Sequence, residues 1–223
     1  MTTDAVKTSS LFLCRVPYLA PLFASCEYPW EMLPEIGALA LRLVREGVDG
    51  FTLLGDGILV GQNVRIAESA SLTGPLVIGH GSEIRPGAYL RGNVITGEKC
   101  VIGNSTELKN CILLDRVEVP HYNYVGDSVL GNRAHLGAGV VCSNLKSDKR
   151  NVIIRAEEPI PTGLRKCGAF VGDGAEVGCS SVLNPGTVIG QSTRVYPLTS
   201  LRGVIPPGMI VKSAGETVAA ASE

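Results

Sequence analysis

The sequence predicts an all-β solenoid, and three observations carry that prediction. An aliphatic residue recurs at every sixth position: Val60, Ile66, Leu72, Ile78, Ile84 and Leu90, then Thr96, then Ile102, Leu108 and Leu114. The frame slips, resumes at Leu130 and Leu136, and after one interruption returns as Val171, Val177, Leu183, Ile189, Val195 and Leu201. Glycine often follows the periodic residue, as at Gly61, Gly79, Gly103, Gly137 and Gly178. Aromatic residues make up only 5% of the chain against 27 glycines, which suits a core of stacked Ile, Leu and Val with tight corners. Neither a helix, with its 3.6-residue period, nor two-residue alternation in long strands gives this pattern. A period of six marks the hexapeptide β-helix, in which short parallel strands are joined by turns.

The elements follow in chain order. Residues 1–9 are polar and expected to fray. Within residues 28–47, Trp30, Leu33, Ile36, Leu39, Ala40 and Leu43 keep three- and four-residue spacing, and Gly47 is placed as a stop, so a helix is expected. Residues 1–53 are read as a small helical N-terminal cap over the first open edge of the solenoid, since an uncovered edge invites aggregation. The solenoid is expected over 54–205, with Gly, Asn and Asp supplying the turns. Between 143 and 168 the period fails in a stretch holding Lys146, Lys149, Arg150, Arg155, Arg165 and Lys166, expected to be a loop thrown out from the coil. Such a loop is either a solvated charged excursion or a carrier of function. Residues 206–223 are expected to form a short strand and a tail.

Bulk properties exclude several classes. A net charge of -1 favours neither nucleic acid nor an anionic membrane as partner. The most apolar early stretch, residues 10–25, is interrupted by Arg15, Pro17 and Pro21, so neither a signal peptide nor a membrane anchor is read there. Seven cysteines with no C-x-x-C pair argue against a disulfide framework and a structural zinc site, and a cytoplasmic location is expected.

The repeat breaks at PHYNYVGDSVLG (120–131), where Pro120 takes a slot that the pattern reserves for an aliphatic residue. A rule broken within a regular pattern marks a candidate site. Around it stand G-N-x-x-E-x-K, H-x-x-Y-x-G-D and G-A-G-x-x-x-x-N. These motifs resemble the acetyltransferase domain of the bifunctional N-acetylglucosamine-1-phosphate uridylyltransferase/glucosamine-1-phosphate acetyltransferases. HYNYVGDS and TGLRKCGAFVGD are closer still to the archaeal-type sugar-1-phosphate nucleotidylyltransferase/acetyltransferases. The resemblance covers about 54–205, its specific part 85–173.

The resemblance implies a left-handed parallel β-helix that assembles as a homotrimer and transfers an acetyl group from acetyl-CoA to the amine of an amino sugar 1-phosphate. No metal is implied. His121 matches the general base, a role suited to an imidazole titrating near pH ~6.5. Glu107 matches the acid that orients it, and Asn144 an amide near the reacting amine. Arg85 and Lys109 match the cations on the sugar phosphate, and Tyr124 a further sugar-phosphate contact. Gly137, Ala138 and Gly139 form the turn whose N–H groups approach the thioester. Cys179 and Pro197 fall at positions along the pantetheine arm.

Two departures stand out. His135 replaces the Asn of the bacterial domain at a sugar-contacting position, which leaves the acceptor open. Only about fifty residues precede the solenoid, with no Gly-rich nucleotide loop, so the chain is not expected to make a nucleotide sugar by itself. Two other classes stay open. One is a zinc enzyme of the γ-carbonic anhydrase kind, for which the chain offers His80, His121 and His135 at a poorly matching spacing. The other is a non-catalytic solenoid that partners a sugar nucleotidylyltransferase. Other amino-sugar acceptors and longer acyl donors also remain open.

Overall fold

The computed structural model describes residues 3–213 and 216–220. The all-β solenoid forms as the period demands. Strands of two to four residues stack in parallel register along three sides of a coil. The first side holds Ile58–Val60, Leu76–Ile78, Val94–Thr96, Ala169–Val171 and Thr187–Ile189. The second holds Arg65–Ile66, Glu83–Ile84, Val101–Asn104, Glu118–His121, His135–Leu136, Glu176–Val177 and Arg194–Val195. The third holds Ser71–Leu72, Tyr89–Leu90, Val141–Cys142, Val182–Leu183 and Ser200–Leu201. Partners in successive coils lie 18 residues apart, as Ile58 and Leu76 do, so three hexapeptides close one coil. Ile78, Ile84, Leu90, Ile102, Leu108 and their equivalents stack inward, fully or nearly fully buried. Each such side chain contributes about 1.5–3 kcal/mol when fully removed from water.

Two coils are shorter. Glu107–Leu113 and Tyr124–Leu130 run unbroken from the third side onto the first, and their partners Cys111 and Ser128 are 17 residues apart. The corner there has two residues, Lys109-Asn110 and Gly126-Asp127, where the preceding coil has three, Arg91-Gly92-Asn93. Asn110 and Asp127 turn that corner at a φ of 48°. The frame slip therefore begins earlier than the periodic reading places it. Leu113, not Leu114, pairs with Thr96 and Leu130 on the core side. Val119, not Pro120, fills the aliphatic slot beside Ile102.

The N-terminal segment lies along a flank of the coil, which corrects the expected placement over its first edge. The helix Ile36–Glu46 buries Ile36, Leu39, Ala40 and Leu43, and ends at Gly47, whose φ is 78°. With Trp30, Met32 and Leu33, this face covers the outward residues of the first side: Leu59, Val77, Ile95, Ile112, Val129, Phe170 and Val188. Such first-side strands are apolar on both faces, a pattern hidden from a six-residue period that tracks inward positions alone. The edges are closed by hairpins. Thr52–Gly55 pairs antiparallel with Ile58–Val60, and Met209–Ser213 pairs antiparallel with Glu216–Ala219. Of the expected tail, residues 221–223 lie outside the described residues, as do 1 and 2 at the other end.

The insertion at 143–168 leaves the coil but folds back onto it. Its hairpin pairs Ile153–Ile154 with Ile160–Pro161. Val152 and Ile154 are buried against the flank. Gly186 admits this approach, since a Cβ there would lie 2.7 Å from Val152 Cγ1. No helix among the described residues is long and apolar enough to cross a membrane.

Candidate functional site

The corner between the second and third sides repeats in every coil, so equivalent residues form a line. His121 pairs in register with Asn104 of the preceding coil. The chain of turn hydrogen bonds then runs along the line: Gly139 N–H donates to His121 O at 3.0 Å, Ser180 N–H to Ala138 O at 2.8 Å, and Leu198 N–H to Cys179 O at 2.9 Å. His121, Ala138, Cys179 and Pro197 thus occupy successive corners, about 4.8 Å apart. His121, Cys179 and Pro197 are exposed. The next residue of each corner has positive φ, including Tyr122 at 52°, Ser180 at 58° and Leu198 at 59°. Tyr122 and Leu198 are 64% and 82% exposed, an apolar rim in a conformation that bulky residues rarely adopt. Periodicity gave no signal for either.

Asn123 fixes the turn beneath His121. It is buried, donates through Nδ2 to Gly137 O at 2.8 Å, and accepts from His121 N–H through Oδ1 at 3.2 Å. This buried amide sets the backbone on which His121 stands, and its side-chain oxygen and nitrogen are both used.

A second polar group gathers where the third side meets the first. Asp127 is nearly buried. Its Oδ1 accepts from Asn110 Nδ2 at 2.9 Å, its Oδ2 accepts from Asn144 Nδ2, and Lys109 Nζ stands 3.5 Å from Oδ2. Asn144 also donates to Tyr124 Oη at 3.2 Å. The stem of the insertion closes on the same group: Gly168 N–H donates to Asp127 O and Cys167 N–H to Asn144 O. Gly126 is needed here, because a Cβ would lie 2.5 Å from Tyr124 Oη and 2.8 Å from Asn144 Nδ2. The periodic reading did not single out Asp127, although it stands in the G-D of the quoted motif.

The structure brings Lys109, Tyr124 and Asn144 together around Asp127, and lines up His121, Ala138, Cys179 and Pro197. It does not unite Arg85 with Lys109 within one chain. Arg85 follows a second-side strand and pairs with Glu83 at 3.5 Å, whereas Lys109 sits at the far end of the third side. Glu107 lies between Tyr89 and Tyr124 on the third side, and its hydrogen bond goes to Arg91 Nη1 at 2.7 Å, not to His121. The turn at 137–139 differs from the expected thioester cradle, since Gly137 N–H is spent on Val177 O and Gly139 N–H on His121 O. Ala138 N–H is the one donor of that turn with no partner among the described residues. His135 faces outward on the second side between Glu118 and Glu176. His80 stands at another corner, where Nδ1 accepts from Gln62 N–H at 2.7 Å, so His80 and His121 lie on different corners and His135 on the side between them. Among the described residues no group of His, Cys, Asp and Glu is placed to hold a metal ion.

The electrostatics are set by partial burial. Desolvation raises the Tyr124 pKa, Glu107 and Asp127 raise it further, and the Asn144 hydrogen bond opposes them, so the phenol stays protonated and able to donate. Burial likewise pushes up the core thiols, Cys100 and Cys142 to about 12. Cys179 is the one exposed cysteine.

The family profile of the GMPPB C-terminal domain matches residues 72–158. A bifunctional sugar-1-phosphate nucleotidylyltransferase/acetyltransferase of Sulfurisphaera tokodaii is 37% identical over 162 residues, covering 64% of this chain and 40% of that protein. The bifunctional protein GlmU of Methanococcus aeolicus is 27% identical over 183 residues, covering 74% of this chain and 41% of that protein. The "putative uncharacterized acetyltransferase YaiX" of Escherichia coli is 32% identical over 152 residues, covering 68% of this chain and 66% of that protein. The chain therefore spans about two fifths of the length of the first two relatives. Among solved structures, AntD, an N-acyltransferase from Bacillus cereus in complex with dTDP and coenzyme A, aligns with a TM-score of 0.43 at 17% identity, covering 78% of this chain and 92% of that one. In its hexapeptide solenoid, its motifs and the sequence relatives it matches, the chain is similar to the hexapeptide-repeat acyltransferases.

Proposed function

We propose that this protein transfers an acetyl group from acetyl-CoA to the amine of an amino sugar phosphate, with glucosamine-1-phosphate-like acceptors as the first class to test. The observation that carries this reading is the line of exposed corners from His121 through Ala138 and Cys179 to Pro197, beside the Lys109–Tyr124–Asn144 group. The corner line offers one wall for the extended pantetheine arm, with the thioester next to Ala138 and His121. Lys109 supplies positive charge for a phosphate and Tyr124 a fixed donor.

The acceptor amine, neutral, attacks the thioester carbonyl carbon. A C–N bond forms, the oxyanion lies against Ala138 N–H, and the proton leaves the nitrogen for His121. Collapse breaks the C–S bond, and the imidazolium returns a proton to the departing thiolate. The N-terminal segment covers the first side of the coil, so the second and third sides remain for assembly. A homotrimer in which His121 faces the corner groove of a neighbouring solenoid would let Arg85 of one subunit approach Lys109 of the next.

The test is thiol release from acetyl-CoA with a panel of amino sugars and their 1-phosphates, run beside His121→Ala. Turnover with a hexosamine 1-phosphate that the substitution abolishes supports donor, base and acceptor together. Turnover that survives removes His121 as base. Silence across the panel from folded protein moves the weight to another donor or to a non-catalytic solenoid.

A further inference from the structure

The insertion carries a basic stretch that acetyl transfer at His121 leaves unused. Its hairpin and the later coils enclose a cavity of about 260 Å³ lined by Lys146, Ile153, Arg155, Pro159, Pro185 and Arg202. Three cationic residues line it and no acidic residue does. Lys146 is held by Asp148 at 3.2 Å, and Arg202 Nη2 donates to the neutral Asn184 Oδ1 at 3.3 Å. The walls between them are an isoleucine and two proline rings.

This cavity is built rather than left over from a mobile loop. Val152 and Ile154 are buried on the flank and fix the backbone that leads into Arg155. The Arg155 carbonyl packs on Gly203, where an added Cβ would lie 3.2 Å away. Asn184 is itself held, donating through Nδ2 to Leu201 O at 2.8 Å, so the partner of Arg202 has a set position. Two arginines and a lysine beside apolar walls match a group that is both multiply anionic and flat. A phosphorylated nucleoside has both properties: phosphate oxygens for the arginine forks and a heterocycle for the proline and isoleucine walls.

We propose that the insertion hairpin and the corner at Arg202 form a binding site for a phosphorylated nucleoside. Two sources share this chemistry, the adenosine bisphosphate end of an acyl-coenzyme A and the nucleotide of a nucleotide-linked sugar. Which source is used depends on the acetyl-transfer reading; the site itself does not. The stem of the insertion is bonded to Asp127 and Asn144, so the site is joined directly to the Lys109–Tyr124 group.

The test is calorimetric titration of the intact chain with adenosine 3′,5′-bisphosphate, uridine diphosphate and inorganic phosphate, repeated with Arg155→Gln, Arg202→Gln and the pair. Arg65→Gln, a cation on the second side away from the cavity, is the control. One nucleotide should bind saturably and more tightly than inorganic phosphate, each single substitution should weaken it about tenfold, and Arg65→Gln should leave it unchanged. Tighter binding of the adenosine bisphosphate identifies the acyl donor, and tighter binding of the uridine compound a nucleotide sugar. Binding of inorganic phosphate as tight as either nucleotide, absence of binding, or binding unmoved by the double substitution overturns the proposal. None of these readouts needs turnover, so failure here and failure of acetyl transfer are separable.

Discussion

Arg91 Nη1 donates to Glu107 Oε1 across 2.7 Å, from one coil to the next, with the guanidinium 5.8 Å from the centre of the Tyr89 ring. The pair stands on the same side as Tyr124 and gives Glu107 a partner other than His121. Solvent screens an exposed pair of this kind, so its worth lies in holding the carboxylate next to Tyr124 rather than in stability. Glu107→Gln and Arg91→Met are each expected to raise KM for the acceptor about tenfold with kcat nearly kept, and the double variant to do no worse than either alone. Steady-state kinetics on the four proteins check this. A fall in kcat confined to Glu107→Gln would instead return that carboxylate to orienting His121.

Gly126→Ala isolates the acceptor side. The new methyl would collide with Tyr124 Oη and Asn144 Nδ2 while leaving the corner line of His121 untouched. The expected outcome is a folded protein with a weakened acceptor, KM up at least about tenfold, and unchanged affinity for the acyl donor. Equal losses for donor and acceptor would mean that the two groups do not serve separate substrates.

Asp127→Ala removes the acceptor shared by Asn110 and Asn144 and the counter-charge of Lys109. Leaving such groups unpaired costs about 1–3 kcal/mol. It should also loosen the stem of the insertion. Denaturant unfolding should show the loss, and proteolysis should nick the 143–168 segment sooner than in the parent. A stable variant with a protected insertion would contradict the clasp.

The inward ladder was legible in the sequence because each coil repeats one physical demand, an aliphatic residue at a fixed place on each side. The helix at Ile36–Glu46 was legible from its spacing, but its destination was not: the partners Leu59, Val77, Ile95 and Ile112 recur once per coil and only on one side. The slip was misplaced by a few residues because a two-residue corner at Lys109-Asn110 leaves apolar residues on both neighbours, Leu113 and Leu114, and only pairing tells which faces inward. The motif residues around His121 were found by resemblance. The roles of Asp127 and Asn123 were not, since a buried acid or amide at a turn has no period and acquires its meaning from coils above and below.

Thiol chemistry distinguishes the corner line from the core. Cys179 is exposed on that line, whereas Cys100, Cys111, Cys142 and Cys167 are buried and Cys14 and Cys26 half-buried. Burial raises the thiols of Cys14 and Cys26 as well, which leaves little thiolate to react. Iodoacetamide on the native protein at pH 8 should label Cys179 first, as peptide mapping reads out. A bound acyl donor should slow that labelling. Undiminished labelling at saturating acetyl-CoA would take the pantetheine arm away from this corner.

The buried thiols also set the alkaline limit of stability. Cys100 and Cys142 are pushed up to about 12, and Cys111 and Cys167 are raised as well, all chiefly by desolvation. In the unfolded chain a thiol titrates near 8.5, so above that pH the unfolded state releases protons that the folded state keeps. The unfolded state then binds fewer protons, and unfolding free energy falls as pH rises. Stability from these thiols is complete below about pH 8.5 and declines above it, by about 1 kcal/mol per thiol per pH unit. Urea unfolding under reductant at pH 6.5, 7.5 and 9.5 should show a plateau between the first two and a loss at the third. The double variant Cys100→Ala, Cys142→Ala starts lower, because two core side chains are cut back, yet its loss between pH 7.5 and 9.5 should be about two thirds that of the parent, since Cys14, Cys26, Cys111 and Cys167 keep their raised thiols. An equal loss in both proteins would place the alkaline sensitivity elsewhere, with the buried phenol of Tyr18, whose hydroxyl donates to Thr96 O at 2.7 Å, as the group to substitute next.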